Sequence, residues 1–500
     1  MNQIRLPLGV KLPKLSRNRF LGLLCLLQVL THLPFLGLPP AGQHTWRQVA
    51  AASQARNYFE EQADFLEPHL DIRVEPGDLG LMYKEFPLLY WLTGQSYRLT
   101  GFSHYNLRLV QLAVALLVIL AAYGFARQIG LPEPQARGFT FFFSTAPYFY
   151  YYAITLLPDL AALGCFLAGV ALVLPGILSS KLDGRYLAGS LLLCLAVLFK
   201  ATWLIFGLPL AFLYLRSFRK KPSLSLGLMA LGTAGLMLGL FYLQYRHQMA
   251  LYEAAPWERA QETYLTTKSF PRDWAVIQDV LRQAVGTWLF GFHINLAALP
   301  FWLYGGYLAF QKRSWSRDNG IFWSLWLLSF CIYGLLFFVS FGPDGEYYMT
   351  PLLPFNAYLI QSGYHSLVAR PKAKKAVLLF LCLIPIVMVY RVVGRWNHRL
   401  QVPEELLYRA PEIEALIPDK QRVLVVGDDG QIIFLYYLHS KGVAFSRELS
   451  PSELDRYHKA GFGTLVWFEP QGRVDNLKDQ LIPTGKVGRF QVYQIRWAGL

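Results

Sequence analysis

Long, uninterrupted apolar runs are the feature that most constrains this chain. About eleven segments come near the roughly 20 residues that a helix needs to cross a bilayer. Backbone groups inside a bilayer are satisfied only by helices or closed barrels, and continuous rather than alternating apolar residues predict helices. We predict spans at Phe20–Leu38, Leu107–Ala126, Phe139–Tyr152, Leu160–Leu178, Leu187–Phe199, Ala201–Leu215, Leu224–Leu243, Ile294–Phe310, Ile321–Phe341, Met349–Leu367 and Ala376–Tyr390.

The composition agrees with a polytopic membrane protein. Of 500 residues, 54% are hydrophobic and 16% are charged, whereas a soluble chain carries about a quarter charged residues. Residues 1–19 are basic, but no cleavage site follows the first apolar run, which favours an uncleaved first span over a signal peptide. The five cysteines all fall inside predicted spans, so they indicate neither a disulfide framework nor metal-ligand spacing.

Charge sets the predicted orientation. A net charge of +15 would suggest a nucleic-acid partner for a soluble protein. Here the cations collect in alternate short loops, the pattern of cytoplasmic loops. We therefore expect no nucleic acid, a cytoplasmic N-terminus and, with eleven spans, an external C-terminus, in a bacterial inner membrane. The basic groups are Arg5/Lys11/Lys14/Arg17/Arg19, Arg127/Arg137, Lys181/Arg185, Arg216/Arg219/Lys220/Lys221, Lys312/Arg313/Arg317 and Arg370/Lys372/Lys374/Lys375.

The predicted fold class is an all-α polytopic membrane protein with a small C-terminal α/β soluble domain. We divide the chain into a cytoplasmic N-terminus (1–19), a transmembrane domain (20–390) with external loops 39–105 and 244–293, and an external domain (391–500). In that domain, strands alternate with helices, which predicts a small α/β sheet. The strands are Arg422–Gly427, Gly463–Phe468 and Arg489–Arg496, and the helices are Gln431–Ser440 and one opened by a capping box at Ser450. Gly427–Gly430 lacks the glycine spacing of a phosphate loop and is predicted to be a turn.

The first external loop holds informative residues at both ends. Small and apolar residues recur at helical spacing from Trp46 to Ala55, which predicts a helix on the membrane surface with Trp46 in the interface. The loop ends in Lys84 and Glu85, directly before an apolar aromatic stretch that we expect to dip towards the bilayer. Charge at that depth is costly and tends to be functional.

The second external loop predicts a packing or interfacial helix rather than a substrate contact. Ser269 can cap this helix and Pro271 suits its first turn. One apolar face is marked by Trp274, Ile277, Leu281 and Val285.

Two further charges lie near external ends of predicted spans. Asp159 follows Pro158 where the chain re-enters the bilayer, and Lys200 is flanked only by apolar residues. The alternative to a functional role is an interface charge that snorkels. Aspartate is too short to snorkel far.

This layout resembles the GT-C fold glycosyltransferases, in the group of protein mannosyltransferase-like and aminoarabinose transferase-like enzymes (family 39 and relatives). The matching features are the long first external loop, its Lys84–Trp91 segment, Asp159 at the start of span four and Lys200 at the end of span five. The segment Tyr347–Pro354 is similar to a tyrosine- and proline-containing segment of these proteins. The resemblance covers roughly residues 20–370, through the order of the features rather than any single motif.

The resemblance implies an inverting-type transfer of a sugar from a polyprenyl-phosphate donor to an envelope glycan, lipid or protein acceptor at the external face. Cations near the interface would bind the carrier phosphate, and a carboxylate would deprotonate or orient the acceptor. The expected phosphate- and substrate-binding residues are Arg47, Lys84, Lys200, Gln48 and Tyr347. The expected catalytic residues are Glu85, His44 and Asp159.

The sequence departs from the family pattern at one point. The acidic residue expected early in the first loop is replaced by Gln43 or His44. A histidine can act as a base near neutral pH, or the role falls to Glu85 or Asp159. The departure is also compatible with altered acceptor chemistry or lost activity.

Some relatives use a divalent metal, for which His44, Glu85 and Asp159 would be the ligands, and no other cofactor is indicated. Two other functions stay open. A transporter or flippase of a lipid-linked glycan commonly has internal repeats and mid-bilayer charges, and neither is evident here. A non-catalytic scaffold for envelope assembly, with the tail as docking module, is compatible with the missing acidic residue.

Overall fold

The helices predicted from the apolar runs are confirmed in a computed structural model of the protein. The structure describes residues 15–254, 271, 273–311, 317–342, 345–396, 402–418, 422–429, 431–469 and 475–496. The helices up to residue 254 are α1 Arg17–His32, α2 Thr45–Glu60, α3 Leu88–Thr100, α4 His104–Gln128, α5 Glu133–Ser144, α6 Pro147–Tyr152, α7 Asp159–Ser179, α8 Gly184–Phe199, α9 Gly207–Lys220 and α10 Leu224–Ala254. The helices that follow are α11 Trp274–Arg282, continued by a π-helix Gln283–His293, then α12 Leu299–Phe310, α13 Arg317–Leu336, α14 Leu352–Val368 and α15 Lys374–Trp396.

Fewer helices of the described structure are long enough to cross a membrane than the eleven spans predicted. Within the described ranges, six helices are long and apolar enough to cross a membrane. A seventh span forms if Trp274–His293 and Leu296–Phe310, which bend by 88° at their junction, count as one broken span. Each of the eleven predicted segments overlaps a helix, but several of these helices are short, so eleven spans stay a prediction. The six are His104–Gln128, Asp159–Ser179, Ala201–Lys220, Leu224–Ala254, Asn319–Leu336 and Pro371–Trp396.

Small residues allow α7 to pack closely against α4 and α8. A Cβ atom at Gly164 would lie 2.5 Å from Val118 on α4, and one at Gly189 of α8 would lie 2.9 Å from the carbonyl oxygen of Gly169. Close backbone approach through small residues is how helices associate inside a membrane. Because α7 and α8 are consecutive and run in opposite directions, the start of α7 faces the end of α8.

Helix α2 is buried, so the prediction of a surface helix is wrong. Every residue from Gln48 to Tyr58 is buried. The helix packs against α3 and against a short helix of the C-terminal domain. A Cβ atom at Gly94 of α3 would lie 2.8 Å from the carbonyl oxygen of Ala55. The small residues of α2 were predicted to face the membrane. They instead let neighbouring helices of the protein pack closely against α2.

Several sequence predictions lie outside the described residues: the basic residues up to Lys14, the cap at Ser269, the cations Lys312 and Arg313, and Gly430.

Helix α11 does not bury its predicted apolar face. The side chains of Trp274, Leu281 and Val285 are exposed, and Val280 is the buried residue of the helix. The packing alternative is therefore wrong for this face. The interfacial alternative stays a prediction.

The C-terminal residues form the predicted small α/β sheet. Its strand order is β2-β1-β3-β5-β4, with β1 parallel to β2 and β3, and β5 antiparallel to β3 and β4. The capping box at Ser450 is confirmed. The strands are β1 Arg422–Val426, β2 Gly442–Phe445, β3 Phe462–Phe468, β4 Leu481–Val487 and β5 Phe490–Ile495, and the helices are α16 Glu404–Tyr408, α17 Ala410–Glu414, α18 Ile433–Tyr437 and α19 Pro451–Lys459.

Two strands and two helices of this domain were not predicted. Strand β2 has only four residues. Edge strand β4 contains Pro483 and Gly485, where its register shifts, and such residues suit an edge but weaken a strand pattern. The helix predicted over Gln431–Ser440 is shorter, at Ile433–Tyr437.

The first external loop joins the edge of this sheet. The amide of Arg73 donates to the carbonyl oxygen of Gly442 at 2.7 Å, and the amide of Gly442 donates to the carbonyl oxygen of Asp71 at 3.0 Å. A Cβ atom at Gly442 would lie 1.8 Å from the carbonyl oxygen of Val423, so only glycine fits between β1 and the loop.

A cluster of buried charges stabilises the contact between the first external loop and the sheet domain. Arg56 of α2, whose side chain is 1% exposed, donates to the fully buried carboxylate of Asp71 at 2.6 Å. Arg56 also donates to the carbonyl oxygen of Tyr436 at 2.9 Å. Lys441, from the C-terminal domain, donates to the other oxygen of Asp71 at 2.7 Å. Burial acts to raise the pKa of Asp71, but these two cations hold it well below its ordinary value, so the carboxylate is ionised.

We predict that Asp71→Asn loosens the C-terminal domain. The substitution leaves the buried Arg56 guanidinium without its nearest counter-charge, with Glu60 3.9 Å away as the remaining carboxylate. Loss of a buried partner costs up to about 3–5 kcal/mol. Thermal unfolding of the purified protein in detergent should show a lower midpoint. Glu412→Gln, which breaks only an exposed pair with Arg409, is the control. An unchanged midpoint for Asp71→Asn would contradict the role given to this cluster.

Candidate functional site

The aromatic ring of Tyr347 lies at the centre of the predicted site residues. It belongs to a short 3-10 helix, Glu346–Met349. The guanidinium carbon of Arg47 lies 4.6 Å from the ring centroid, and Lys200 Nζ also lies 4.6 Å from it. The ring of His44 meets it edge-on, with centroids 5.1 Å apart. Cations within about 6 Å of a ring centroid are attracted by its electrons, so the Tyr347 ring attracts both Arg47 and Lys200.

Each of these two cations is paired with a predicted carboxylate. Arg47 donates to Glu85, and Lys200 donates to Asp159. The second carboxylate oxygen of Glu85 accepts a hydrogen bond from the Tyr90 hydroxyl at 2.7 Å. Asp159 begins α7 and Lys200 follows α8, so the close packing of these helices brings the second pair together.

Glu85 is an ionised partner of the cations. Burial acts to raise the pKa of this loop carboxyl, but the charges of Arg47 and Lys200 and the hydrogen bond from Tyr90 hold it below its ordinary value. A base is most effective when its pKa lies near the working pH. The environment of Glu85 therefore suits positioning Arg47 better than accepting a proton.

His44 lies beside a carboxylate that the sequence analysis did not identify. Its Nε2 is 2.9 Å from Oε1 of Glu346, although the two are not aligned as a hydrogen bond. The Glu346 side chain is fully buried, and Arg395 of α15 lies 3.4 Å from the same oxygen. Glu346 directly precedes the Tyr347–Pro354 segment, so its position was the available signal. Nothing local in the sequence connects it to His44.

The remaining predicted residues lie at the edge of this cluster. Lys84 Nζ is 4.6 Å from the centre of the Trp46 ring. The side-chain amide of Gln48 donates to the carbonyl oxygen of Gln43 at 2.7 Å, which stabilises the turn into α2. Gln48 thus supports the turn that carries His44 and leads into α2, where Arg47 lies.

A small cavity with both polar and apolar walls opens beside the Arg47–Glu85 pair. Its wall includes Arg47, Lys84, Glu85 and Tyr90, and its volume is about 40 Å³. A single water needs about 10–15 Å³ of cavity volume, so the space holds a few waters. A sugar phosphate requires the side chains here to rearrange.

The three residues predicted as metal ligands do not form a metal site. Among the residues that the structure describes, no group of three or more histidine, cysteine, aspartate or glutamate side chains could hold an ion. Glu85 pairs with Arg47, Asp159 pairs with Lys200, and His44 lies beside Glu346.

We predict that the Lys200–Asp159 pair is interdependent. Lys200→Met leaves the Asp159 carboxylate, 2% exposed, without its cation, at a cost of about 3–5 kcal/mol. Adding Asp159→Asn removes the stranded charge, so the double variant should melt at a higher temperature than Lys200→Met alone. Thermal unfolding of the two single variants and the double variant in detergent measures this coupling. A double variant less stable than both single variants would contradict it.

Comparison with known proteins identifies the fold. No protein-family model and no curated protein matches the sequence. The structure is similar to ArnT from Cupriavidus metallidurans in the apo state, with TM-score 0.62 and 13% identity over 95% of this chain and 97% of that one. The same protein bound to undecaprenyl phosphate gives TM-score 0.64 and 14% identity, over 96% and 98%.

A second protein shares this architecture. The archaeal oligosaccharyltransferase AglB from Archaeoglobus fulgidus, in complex with an inhibitory peptide and a dolichol-phosphate, gives TM-score 0.54 and 11% identity, over 90% of this chain and 69% of that one. ArnT and AglB are GT-C fold membrane glycosyltransferases. The resemblance inferred from the sequence is therefore confirmed for the fold: this chain is an integral membrane protein with the GT-C fold.

Proposed function

We propose that the protein is a glycosyltransferase that moves a sugar from a polyprenyl-phosphate donor to an envelope glycan, lipid or protein acceptor. One observation carries this proposal: Arg47 and Lys200, from distant parts of the chain, converge on the ring of Tyr347. Two cations beside a half-buried aromatic ring suit a phosphate group. The ArnT structure bound to undecaprenyl phosphate supports the choice of a polyprenyl carrier.

The donor phosphate would replace the carboxylates as partner of the cations. In the described structure, Glu85 and Asp159 neutralise Arg47 and Lys200. A phosphate presents oxygens that can bind both cations at once, and Arg binds such groups through two parallel hydrogen bonds. Lys84, which lines the cavity beside Arg47, would add a third positive charge. The released carboxylates would then face the sugar.

The cavity would have to enlarge to admit the donor. Its volume of about 40 Å³ is too small for a sugar phosphate while Arg47 binds Glu85. Separation of that pair opens the space, so donor binding and rearrangement of Arg47 are one event. We further propose an inverting reaction, a single displacement in which the acceptor attacks the anomeric carbon as the polyprenyl phosphate departs.

The proposed topology follows the charge pattern of the sequence. Residues 1–19 would lie in the cytoplasm, residues 20–390 would form the transmembrane domain, and residues 391–500 would form an external domain in the periplasm. The site at the N-terminal end of α2 would then face outward, where polyprenyl-linked sugars meet their acceptors.

The second candidate function is a non-catalytic scaffold of envelope assembly. The small volume of the cavity favours it, because a scaffold needs no space for a donor. The two functions differ in one measurable property, since only the transferase binds undecaprenyl phosphate at Arg47 and Lys200. Binding of undecaprenyl phosphate to the purified full chain in nanodiscs, followed by native mass spectrometry, separates them.

We predict that transfer of radiolabelled sugar from the polyprenyl-phosphate pool to envelope glycans falls about 10²–10³-fold in Arg47→Ala cells. Glu85→Gln and Lys84→Ala should also lower labelling, because they remove a carboxylate that would face the sugar and a cation of the cavity wall. Cells with the wild-type protein and cells lacking the gene bracket the range.

The exposed pair Lys486–Glu469 of the sheet domain supplies matched controls. Lys486→Ala and Glu469→Gln remove the same charges outside the site and should label normally. Protein levels in membranes are measured for every variant. Normal labelling in Arg47→Ala cells would contradict the phosphate site, and normal labelling in cells lacking the gene would favour the scaffold.

A further inference from the structure

A buried imidazole–carboxylate pair lies beside the proposed phosphate site. The side chain of His44 is 3% exposed and that of Glu346 is fully buried, with Nε2 and Oε1 2.9 Å apart. The same histidine ring contacts Tyr347, which also holds Arg47 and Lys200. The pair is therefore one aromatic ring away from the cations that would bind the donor phosphate.

His44 has a backbone conformation that is uncommon for residues other than glycine. It precedes the first turn of α2 with φ 58° and ψ 36°, in the left-handed region, and its side chain caps nothing. Histidine in this region costs free energy, which tends to be stored at functional sites. Glycine or asparagine would adopt the same backbone at lower cost.

Nδ1 is the ring nitrogen of His44 that does not face Glu346. Nδ1 has no hydrogen-bond partner among the described residues. A carboxylate beside one nitrogen of an imidazole fixes the N–H there and leaves a lone pair on the other nitrogen. The same logic holds the histidine of a Ser-His-Asp triad in its working tautomer. Poor alignment of such a contact is common before substrate binds.

We propose that His44 is the catalytic base, that Glu346 is its positioning residue, and that the acceptor is a hydroxyl group. This inference rests on the proposed function. The family pattern places a carboxylate early in the first loop. In this chain Glu346 would supply the carboxylate, and it would act through His44. Arg395 lies 3.4 Å from the same carboxylate oxygen of Glu346. It therefore contacts the positioning residue of the pair.

The step balances as a single displacement. The acceptor oxygen forms a bond to the anomeric carbon while the bond from that carbon to the phosphate oxygen breaks. The electron pair leaves with the polyprenyl phosphate, whose charge is met by Arg47 and Lys200. The acceptor proton passes to Nδ1 of His44, and Glu346 stabilises the imidazolium that results.

A base at this position distinguishes two acceptor classes. A phosphate monoester is already ionised at neutral pH, with a second pKa of about 6, so it needs no base and would be repelled by Glu346. A hydroxyl is neutral and must lose a proton as it attacks. The buried pair is therefore useful only for a neutral acceptor.

The first test is the linkage in the product. Purified full chain is added to membranes from cells lacking the gene, whose polyprenyl-phosphate sugars carry a radiolabel. A glycoside to a hydroxyl survives mild acid, whereas a glycosyl phosphate is cleaved. Label that becomes acid-stable supports the inference, and label that moves to a second acid-labile product overturns it. If no label leaves the polyprenyl-phosphate pool, the proposed function itself fails.

The second test is a double-variant cycle. His44→Asn keeps the left-handed backbone, and Glu346→Gln keeps the shape of the side chain. Each should lower the rate at saturating donor about 10²–10⁴-fold and leave the half-saturating donor concentration within about twofold. The double variant should be no slower than His44→Asn, because Glu346 acts only through His44. Losses that multiply, or a rise in the half-saturating concentration alone, would overturn the assignment.

Undecaprenyl phosphate serves as the folding and binding control. All three variants should bind it as the wild-type protein does, measured by native mass spectrometry in nanodiscs. Asp479→Asn, a change in the sheet domain away from the pair, should transfer label at the wild-type rate. Loss of undecaprenyl phosphate binding in both His44→Asn and Glu346→Gln would assign the pair to donor binding and overturn the catalytic role.

Discussion

The pairing of buried charges is the constraint on which the rest of this structure depends. An ion removed from water costs several kcal/mol unless a partner of opposite charge meets it. Each buried or half-buried charge near α2 therefore fixes a second segment of the chain. Arg47 binds Glu85 and so fixes the end of the first external loop. Arg56 binds Asp71 and so fixes the part of that loop that pairs with strand β2. Lys200 and Asp159 do the same for the ends of α8 and α7.

These pairs make the site a meeting point of sequence-distant segments. Helix α2 contributes His44 and Arg47 near its first turn, and the 3-10 helix contributes Glu346 and Tyr347. Neither segment has the charge balance to be buried alone. Together they place two cations and one imidazole around an aromatic ring. The GT-C architecture supplies the frame, and the paired charges determine where its loops meet.

The sequence predicts single residues better than it predicts pairs. Asp159 and Lys200 stood out because each is a charge among apolar residues, but nothing local in the sequence shows that they bind each other. Glu346 was missed for the same reason, since its partner lies in the first external loop. The apolar runs predicted helices correctly, because hydrophobic length is a local property. Helix α2 was misplaced because small residues pack equally well against lipid or protein.

Helix α2 connects the site and the C-terminal sheet as one rigid unit. At about 1.5 Å per residue, its 16 residues extend about 24 Å. Arg47 lies near one end, and Arg56, bound to Asp71 and to the carbonyl oxygen of Tyr436, lies near the other. The sheet domain is therefore not an exchangeable module. A chimaera that replaces residues 402–496 with the tail of another GT-C protein must also contain that protein's α2 and the part of its first external loop that pairs with the sheet.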